Sequence, residues 1–212
     1  MIRWTSISPL GSPTMTNSNE ITYEKIRSNF LELIREKGYS KTTFKEVASA
    51  SGMTRQNLYY YYESKETMLK DVIEEFFDRL YLKMVSYKIN PNIDDYQTMS
   101  KSLVSNMMEA LENDIDIARC FYSNDVEKLF IRKSIAFLKR MLGGVIRNQD
   151  ITVKNPLHIH FIALQMAGAV HFPLKEWIVN ESDISTDDVI NLGYPMLDAA
   201  ISTLMDTKDN TQ

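Results

Sequence analysis

Cysteine is almost absent from this 212-residue chain, and Cys120 alone cannot build a disulfide framework or a thiolate zinc site. One free thiol fits a reducing cytoplasm, where we expect the protein to reside. Long apolar runs are missing too. The longest, Phe161 to Leu174, is interrupted by Gln165 and His171 and is too short for a bilayer span, so no membrane partner is expected. Met1 to Thr14 holds one Arg and no apolar run of signal-peptide length, which argues against export by that route. Met15 stands as an alternative start. Also lacking are a Gly-rich phosphate loop, a paired-His metal motif, and a nucleophile with a recognisable base. The expectation is therefore no catalysis, no metal and no cofactor. A net positive charge is absent as well, since the chain carries a formal −4.

What is present is helical pattern. With 44% hydrophobic residues the chain has enough apolar surface for a core. Ile26, Phe30, Leu33 and Ile34 fall at helical spacing and predict a first helix from about Tyr23 to Lys37, ended by Gly38. Met68, Leu69, Val72, Ile73, Phe76, Phe77, Leu80 and Met84 predict a long helix reaching about Lys88, stopped by Asn90-Pro91-Asn92. Further helices are predicted over 95–112, 115–122, 126–147, 156–179 and 187–206, with polar linkers at 148–150 and 180–185. No convincing strand or internal repeat is visible. The fold predicted is all-α: an N-terminal three-helix helix-turn-helix domain over residues 20–67, then a helical bundle over 68–212. Residues 1–19, rich in Ser, Thr, Pro and Asn, are expected to form a disordered arm.

The most informative stretch is 43–66. Thr43 and Glu46 have the spacing of a capping box, Phe44, Val47 and Ala48 supply a buried face, and Gly52 can take positive φ between two short helices. Thr54 caps the second helix, in which Leu58 and Tyr62, at i and i+4, point together into a core. Tyr59 to Tyr62 sweep about 300° at about 100° per residue, so they cannot all be buried. Beside them stand Arg55, Gln56 and Asn57. Arg and Gln bond base edges in the major groove, while tyrosine hydroxyls, Asn and Lys bond phosphates.

The run Gly-Met-Thr-Arg-Gln-Asn-Leu-Tyr-Tyr-Tyr-Tyr-Glu-Ser-Lys-Glu, residues 52–66, resembles the signature of the tetracycline-repressor (TetR) family of transcription regulators. The match runs from about Ile26 to Leu69, under a quarter of the chain. It implies that Arg55, Gln56 and Tyr59 approach bases and that Lys45, Asn57, Tyr60, Tyr61 and Lys65 hold phosphates, with Thr43 and Thr54 as caps that also touch the backbone. The sequence departs at Tyr62, where the family usually has Phe, and that hydroxyl needs a partner. Lys65 follows a capping Ser64 and so lies in a first helical turn that attracts an anion.

Charge is divided in a way that suits double-stranded DNA. Residues 20–70 hold nine Lys or Arg against seven Asp or Glu, whereas 71–212 hold fourteen against twenty-one. The acidic remainder deters non-specific sticking, and the modest +2 of the first part means affinity should depend on pairing two copies. Ala163, Ala167 and Gly168, with Val189, Ile190, Leu192, Gly193, Met196, Leu197, Ala200, Ile201 and Leu204, offer a dimer surface, with closure of the monomer's own core as the alternative. The resemblance implies a homodimer on a palindromic operator, a repressor released by a small, largely apolar effector. The alternative is control by a protein partner with no small ligand. Candidate effector contacts are Tyr87, Met107, Phe121, Phe137, Met141, Phe161, Gln165 and His171, because Met and aromatics adapt to irregular apolar ligands and Gln or His can orient them.

Overall fold

A computed structural model describes residues 17–86, 96–122, 125–148, 156–180 and 183–205. Every regular element among them is helical: α1 (Asn17–Lys37), α2 (Phe44–Ala50), α3 (Arg55–Tyr61), α4 (Lys65–Ser86), α5 (Tyr96–Asn113), α6 (Ile115–Phe121), α7 (Glu127–Asn148), α8 (Pro156–Val179) and α9 (Thr186–Met205). The expected boundaries hold to within one or two residues, except at the N-terminus. There α1 begins at Asn17, six residues before Tyr23, so the last three residues assigned to a disordered arm are helical. The rest of that arm, the Asn90-Pro91-Asn92 stop and the whole of Tyr87 lie outside the described residues.

Local chemistry explains the short helices. Thr43 and Glu46 form the capping box, the Glu46 amide donating to Thr43 Oγ1 at 3.3 Å and the Thr43 amide to Glu46 Oε2 at 2.9 Å. Thr54 Oγ1 caps α3 by accepting from the Asn57 amide at 3.1 Å. Gly52 takes φ +70 in the turn between them, a conformation open to few other residues. At the head of α4 the Thr67 amide donates to Ser64 Oγ at 3.1 Å, as the sequence predicts for a capping serine.

Glu46 is held down to a pKa of about 2, first by its hydrogen bond from Lys37, then by those from Thr43. Because the folded value lies below the unfolded one, its contribution is complete above the normal carboxylate range and lost as pH falls toward 2. An acid titration followed by circular dichroism should therefore show an acid-sensitive component of stability in the native chain that Glu46→Gln lacks. Identical acid transitions would exclude the capping box as its source.

Ile26, Phe30 and Ile34 of α1 bury against Val47, Ala48, Leu58 and Tyr62 to make the first core. Its continuation is α4, whose Met68, Leu69, Val72 and Ile73 lead without interruption to Phe76, Phe77 and Leu80 in the bundle. There Phe77 stacks on Phe130 at 5.2 Å and on Phe137 at 5.1 Å, while Phe121 stacks on Phe130 at 5.3 Å. Around this aromatic centre α4 packs on α5 and α7, α5 on α9, and α8 on α6, α7 and α9; α1 packs on α6 and joins the two units. The turn after α1 is also fastened to the bundle by the Ser40 hydroxyl, which donates to Asp125 just before α7.

Two expectations about the last helices need correction. The apolar stretch 161–174 belongs to a longer helix, and residues 157–179 are long and apolar enough, by length and composition, to cross a membrane. In this fold α8 is a wall of the bundle and carries His171, Lys175 and Glu176. The proposed dimer residues also divide. Ala163, Ala167 and Leu197 are buried within the monomer, and Val189, Ile190 and Ala200 pack on the same core, as the alternative reading had it. Leu192 and Met196 remain exposed, and with them on α8 Leu157, Phe161, Leu164 and Phe172. The side chains of Ile201 and Leu204 lie outside what is described.

Candidate nucleic-acid interface

One face of the N-terminal unit carries the polar groups that the sequence nominates. Thr43, Lys45, Thr54, Arg55, Gln56, Asn57, Tyr59 and Tyr60 are all exposed, while Leu58 on the opposite side of α3 is completely buried. The tyrosine run splits as the helical sweep requires. Tyr60 is 79% exposed and Tyr59 47%, Tyr61 is half-buried edge-on to Tyr23 at 5.2 Å, and Tyr62 is 6% exposed.

Arg55 Nη2 donates to the Tyr59 hydroxyl at 3.0 Å, and the Tyr59 ring leans on Phe44 of α2 at 4.7 Å. The ring is thereby fixed by packing, and the arginine by the ring, before any ligand arrives. One of five guanidinium donors is used, and the others stay available for a bidentate contact.

The departure at Tyr62 has a partner. Its hydroxyl donates to Asp71 on α4, whose Oδ2 also receives Arg27 Nη1 from α1 at 3.3 Å; Arg27 Nε reaches Glu75 at 2.7 Å. Burial first, and then the Asp71 charge, raises the Tyr62 pKa, so the phenol keeps its proton and remains a donor. Three helices meet in this network, which phenylalanine could not complete. Tyr62→Phe should lower stability by about 1 kcal/mol in urea unfolding, the net worth of one hydrogen bond; an unchanged midpoint would remove the network from the account.

Lys65 differs from the picture of a free phosphate ligand. Its ammonium donates to the carbonyls of Tyr39 at 2.9 Å and Thr42 at 3.0 Å and lies 4.1 Å from the Tyr39 ring centre. It ties the start of α4 to the turn before α2, which leaves one N–H for an outside acceptor. Arg27, Asp71 and the carbonyl ties of Lys65 were not legible beforehand, because each joins residues distant in sequence.

Two cavities lie in the bundle. The larger, about 170 Å³, sits among α5, α7, α8 and α9. The smaller lies among α4, α5, α6, α7 and α8. Of the candidate effector residues, Phe137 and His171 line the smaller, Met141 the larger, and Met107 both. Phe121 is 1% exposed and lines neither, being filled in on both sides by Phe76 and Phe130. Phe161 is 65% exposed and Gln165 is also exposed, so both face outward on α8. Missed from sequence was the anchor of His171: its Nε2 lies 2.8 Å from Glu127 Oε1, and Lys175 Nζ is 2.8 Å from both Glu127 oxygens. The hydrogen bond from Lys175 first, then that from His171, holds the Glu127 pKa below its ordinary value. The i,i+4 spacing of His171 and Lys175 was the available clue.

A capped helix-turn-helix with an exposed Arg, Gln and Tyr face, braced by a third helix and continued into an all-helical bundle, defines a DNA-binding transcription regulator. Residues 30–72 match the family model of bacterial regulatory proteins, tetR family. This chain is a TetR-family transcriptional regulator, and its relatives are regulators rather than enzymes. It is 27% identical over 109 residues to the HTH-type transcriptional repressor KstR2 of Rhodococcus jostii, which covers 51% of this chain and 52% of that protein. It is 24% identical to the HTH-type transcriptional regulator YvaF of Bacillus subtilis over 72% of this chain and 84% of the relative. Among solved structures, a TetR-family transcriptional regulator from Syntrophomonas wolfei superposes with a TM-score of 0.65 at 20% identity, over 86% of this chain and 96% of the other, a likeness of fold. The chain thus spans about half the length of KstR2 and most of YvaF.

Proposed function

We propose that the protein is a homodimeric repressor that holds a palindromic operator and leaves it when a small, largely apolar molecule occupies the bundle. The observation that carries this reading is the continuity of α4. Its first two turns are tied to the DNA-reading unit through Lys65 and Asp71, and about three to four turns on from Lys65, Phe76, Phe77 and Leu80 line the smaller cavity. A ligand that repacks these side chains acts on the same rigid helix that positions α3, and its differential affinity for the two arrangements supplies the coupling. The cavities favour a small effector over control by a protein partner alone. Repression, stated for KstR2 in its name, is carried over to this chain as part of the proposal.

Dimerisation is supported by the exposed apolar side chains of α8 and α9. Leu157, Phe161, Phe172 and Leu192 are each between 65% and 72% exposed, unusual for residues of this size gathered on two adjacent helices. Joined to a second copy they form a four-helix interface, which sets two copies of α3 about one DNA turn or somewhat more apart.

In this reading Arg55, Gln56 and Tyr59 meet base edges, and Thr43, Lys45, Thr54, Asn57, Tyr60, Tyr61 and the remaining N–H of Lys65 meet the backbone. Binding to the promoter fragment beside the protein's own gene, followed by fluorescence anisotropy and by thermal shift with candidate effectors, tests the whole. Failure to prefer that fragment over random DNA would count against the regulator as an autorepressor, and operator affinity indifferent to every stabilising compound would remove effector control. Arg55→Ala should cost about 1–3 kcal/mol at one base position while leaving random-DNA affinity nearly unchanged. Equal losses on both DNAs would show that Arg55 reads no base.

A further inference from the structure

Arg27, Arg35, Arg119 and Arg140 each meet a carboxylate of the same chain. Arg55 meets none among the described residues, and its partner is a phenol. Its guanidinium donates to the Tyr59 hydroxyl one turn on and lies 5.5 Å from the centre of that ring, so a hydrogen bond and a cation–π contact hold the two together. The hydroxyl accepts in this bond and keeps its own proton to give, with no second partner among the described residues. Arginine itself carries donors only. Seen from outside, the exposed pair therefore offers donors and no free acceptor, with its positive charge uncompensated. It is also braced from another helix. The Tyr59 ring lies 4.7 Å from that of Phe44 at a tilt of 33°. Phe44 is the first residue of α2, directly after the Thr43 capping box and half-buried on the N-terminal core. Through one ring, the place of the arginine is referred to the start of the neighbouring helix.

The geometry points to a preset guanine reader: Arg55 and Tyr59 act as one donor unit on a guanine of each half-site, and Phe44 is a positioning residue that acts through Tyr59. This rests on the reading above that α3 faces the major groove, and it adds the base and the brace. In that groove guanine alone presents two acceptors, O6 and N7, whereas adenine sets a donor beside N7, thymine a methyl beside O4, and cytosine offers a donor. A unit with donors only meets each of the other three with at least one position unmatched. Presetting adds to the discrimination, because a long side chain ordered only on binding loses part of its contact to lost rotamer freedom. Arg55 is ordered in advance by a ring that is itself packed.

Selection of a randomised duplex library by the full-length protein, followed by sequencing of the bound fraction, defines the operator, and each half-site should hold a guanine at one fixed position. Fluorescence anisotropy then compares that duplex with one in which the guanine is 7-deazaguanine, which pairs normally but lacks N7. The native protein should bind the modified duplex about tenfold more weakly, and Arg55→Ala should bind both alike. Tyr59→Phe keeps the ring and drops the accepting oxygen, while Phe44→Leu keeps an apolar residue and drops the ring. Each should shrink the ratio to about threefold, Phe44→Tyr should keep it native, and adding Phe44→Leu to Arg55→Ala should change it no further. A head merely loosened by substitution weakens both duplexes equally and leaves the ratio intact, and that result in either Tyr59→Phe or Phe44→Leu would overturn the proposal. Because Tyr59 is exposed, its variant reports even where Phe44→Leu fails to fold. A selected palindrome with no guanine whose effect depends on Arg55 removes this inference and leaves the operator reading standing. A library that yields no preferred sequence removes both.

Discussion

Glutamates placed together at Phe161 and Leu192 should leave the chain folded but monomeric and lower its affinity for a full palindromic operator by about two to four orders of magnitude. Both side chains are largely solvent-exposed in the single chain, at 65% and 72%, so charging them removes nothing from the monomer's own core. In a dimer the same positions are buried against an apolar partner, where an unpaired carboxylate is strongly disfavoured. The loss on DNA arises because the second recognition helix of a dimer binds as an intramolecular event, and about 10²–10⁴ of the affinity comes from that linkage. Light scattering gives the mass, and anisotropy on full and half operators gives the affinity. Half-site binding should be unchanged. A double variant that stays dimeric, or a monomer that binds the full operator like the native protein, would place the interface elsewhere.

Phe121→Ala should cost about 3–5 kcal/mol of folding stability, the range for emptying a buried phenylalanine. The ring is 1% exposed and lies between Phe76 of α4 and Phe130 of α7, with centroids at 5.3 Å from each. Its removal therefore opens a void between two long helices that the rigid aromatic cluster cannot easily close. Urea unfolding with an unchanged slope and a shifted midpoint is the expected signature. A variant of native stability but altered effector affinity would restore Phe121 to the ligand site.

Much of the fold was legible because helices announce themselves locally. The capping box at Thr43, the cap at Thr54, the positive-φ Gly52 and the i,i+4 pair Leu58 and Tyr62 are all short-range features, and each stands where the sequence puts it. The exposure of the polar set on α3 was legible for the same reason, since a seven-residue helix with one buried residue leaves little choice for the others. The bundle was harder. Phe121, Phe161 and Phe137 are alike in sequence terms, yet one is sealed core, one faces outward and one lines a cavity, and only the packing of α6, α7 and α8 separates them. Pattern alone could not tell apolar side chains that close the monomer's own core from those left exposed, because α9 has both. Tyr62 shows the limit most clearly: its need for a partner was readable, while the identity of that partner, nine residues on and shared with Arg27, was not.

The hydroxyl link from Ser40 to Asp125 gives the N-terminal unit a third mooring, beside its attachment along α4 and the packing of α1 on α6. A body tied at three points is held against pivoting as well as against sliding. Small adjustments at the entrance to α7 therefore have a route to the N-terminal unit that bypasses the long helix.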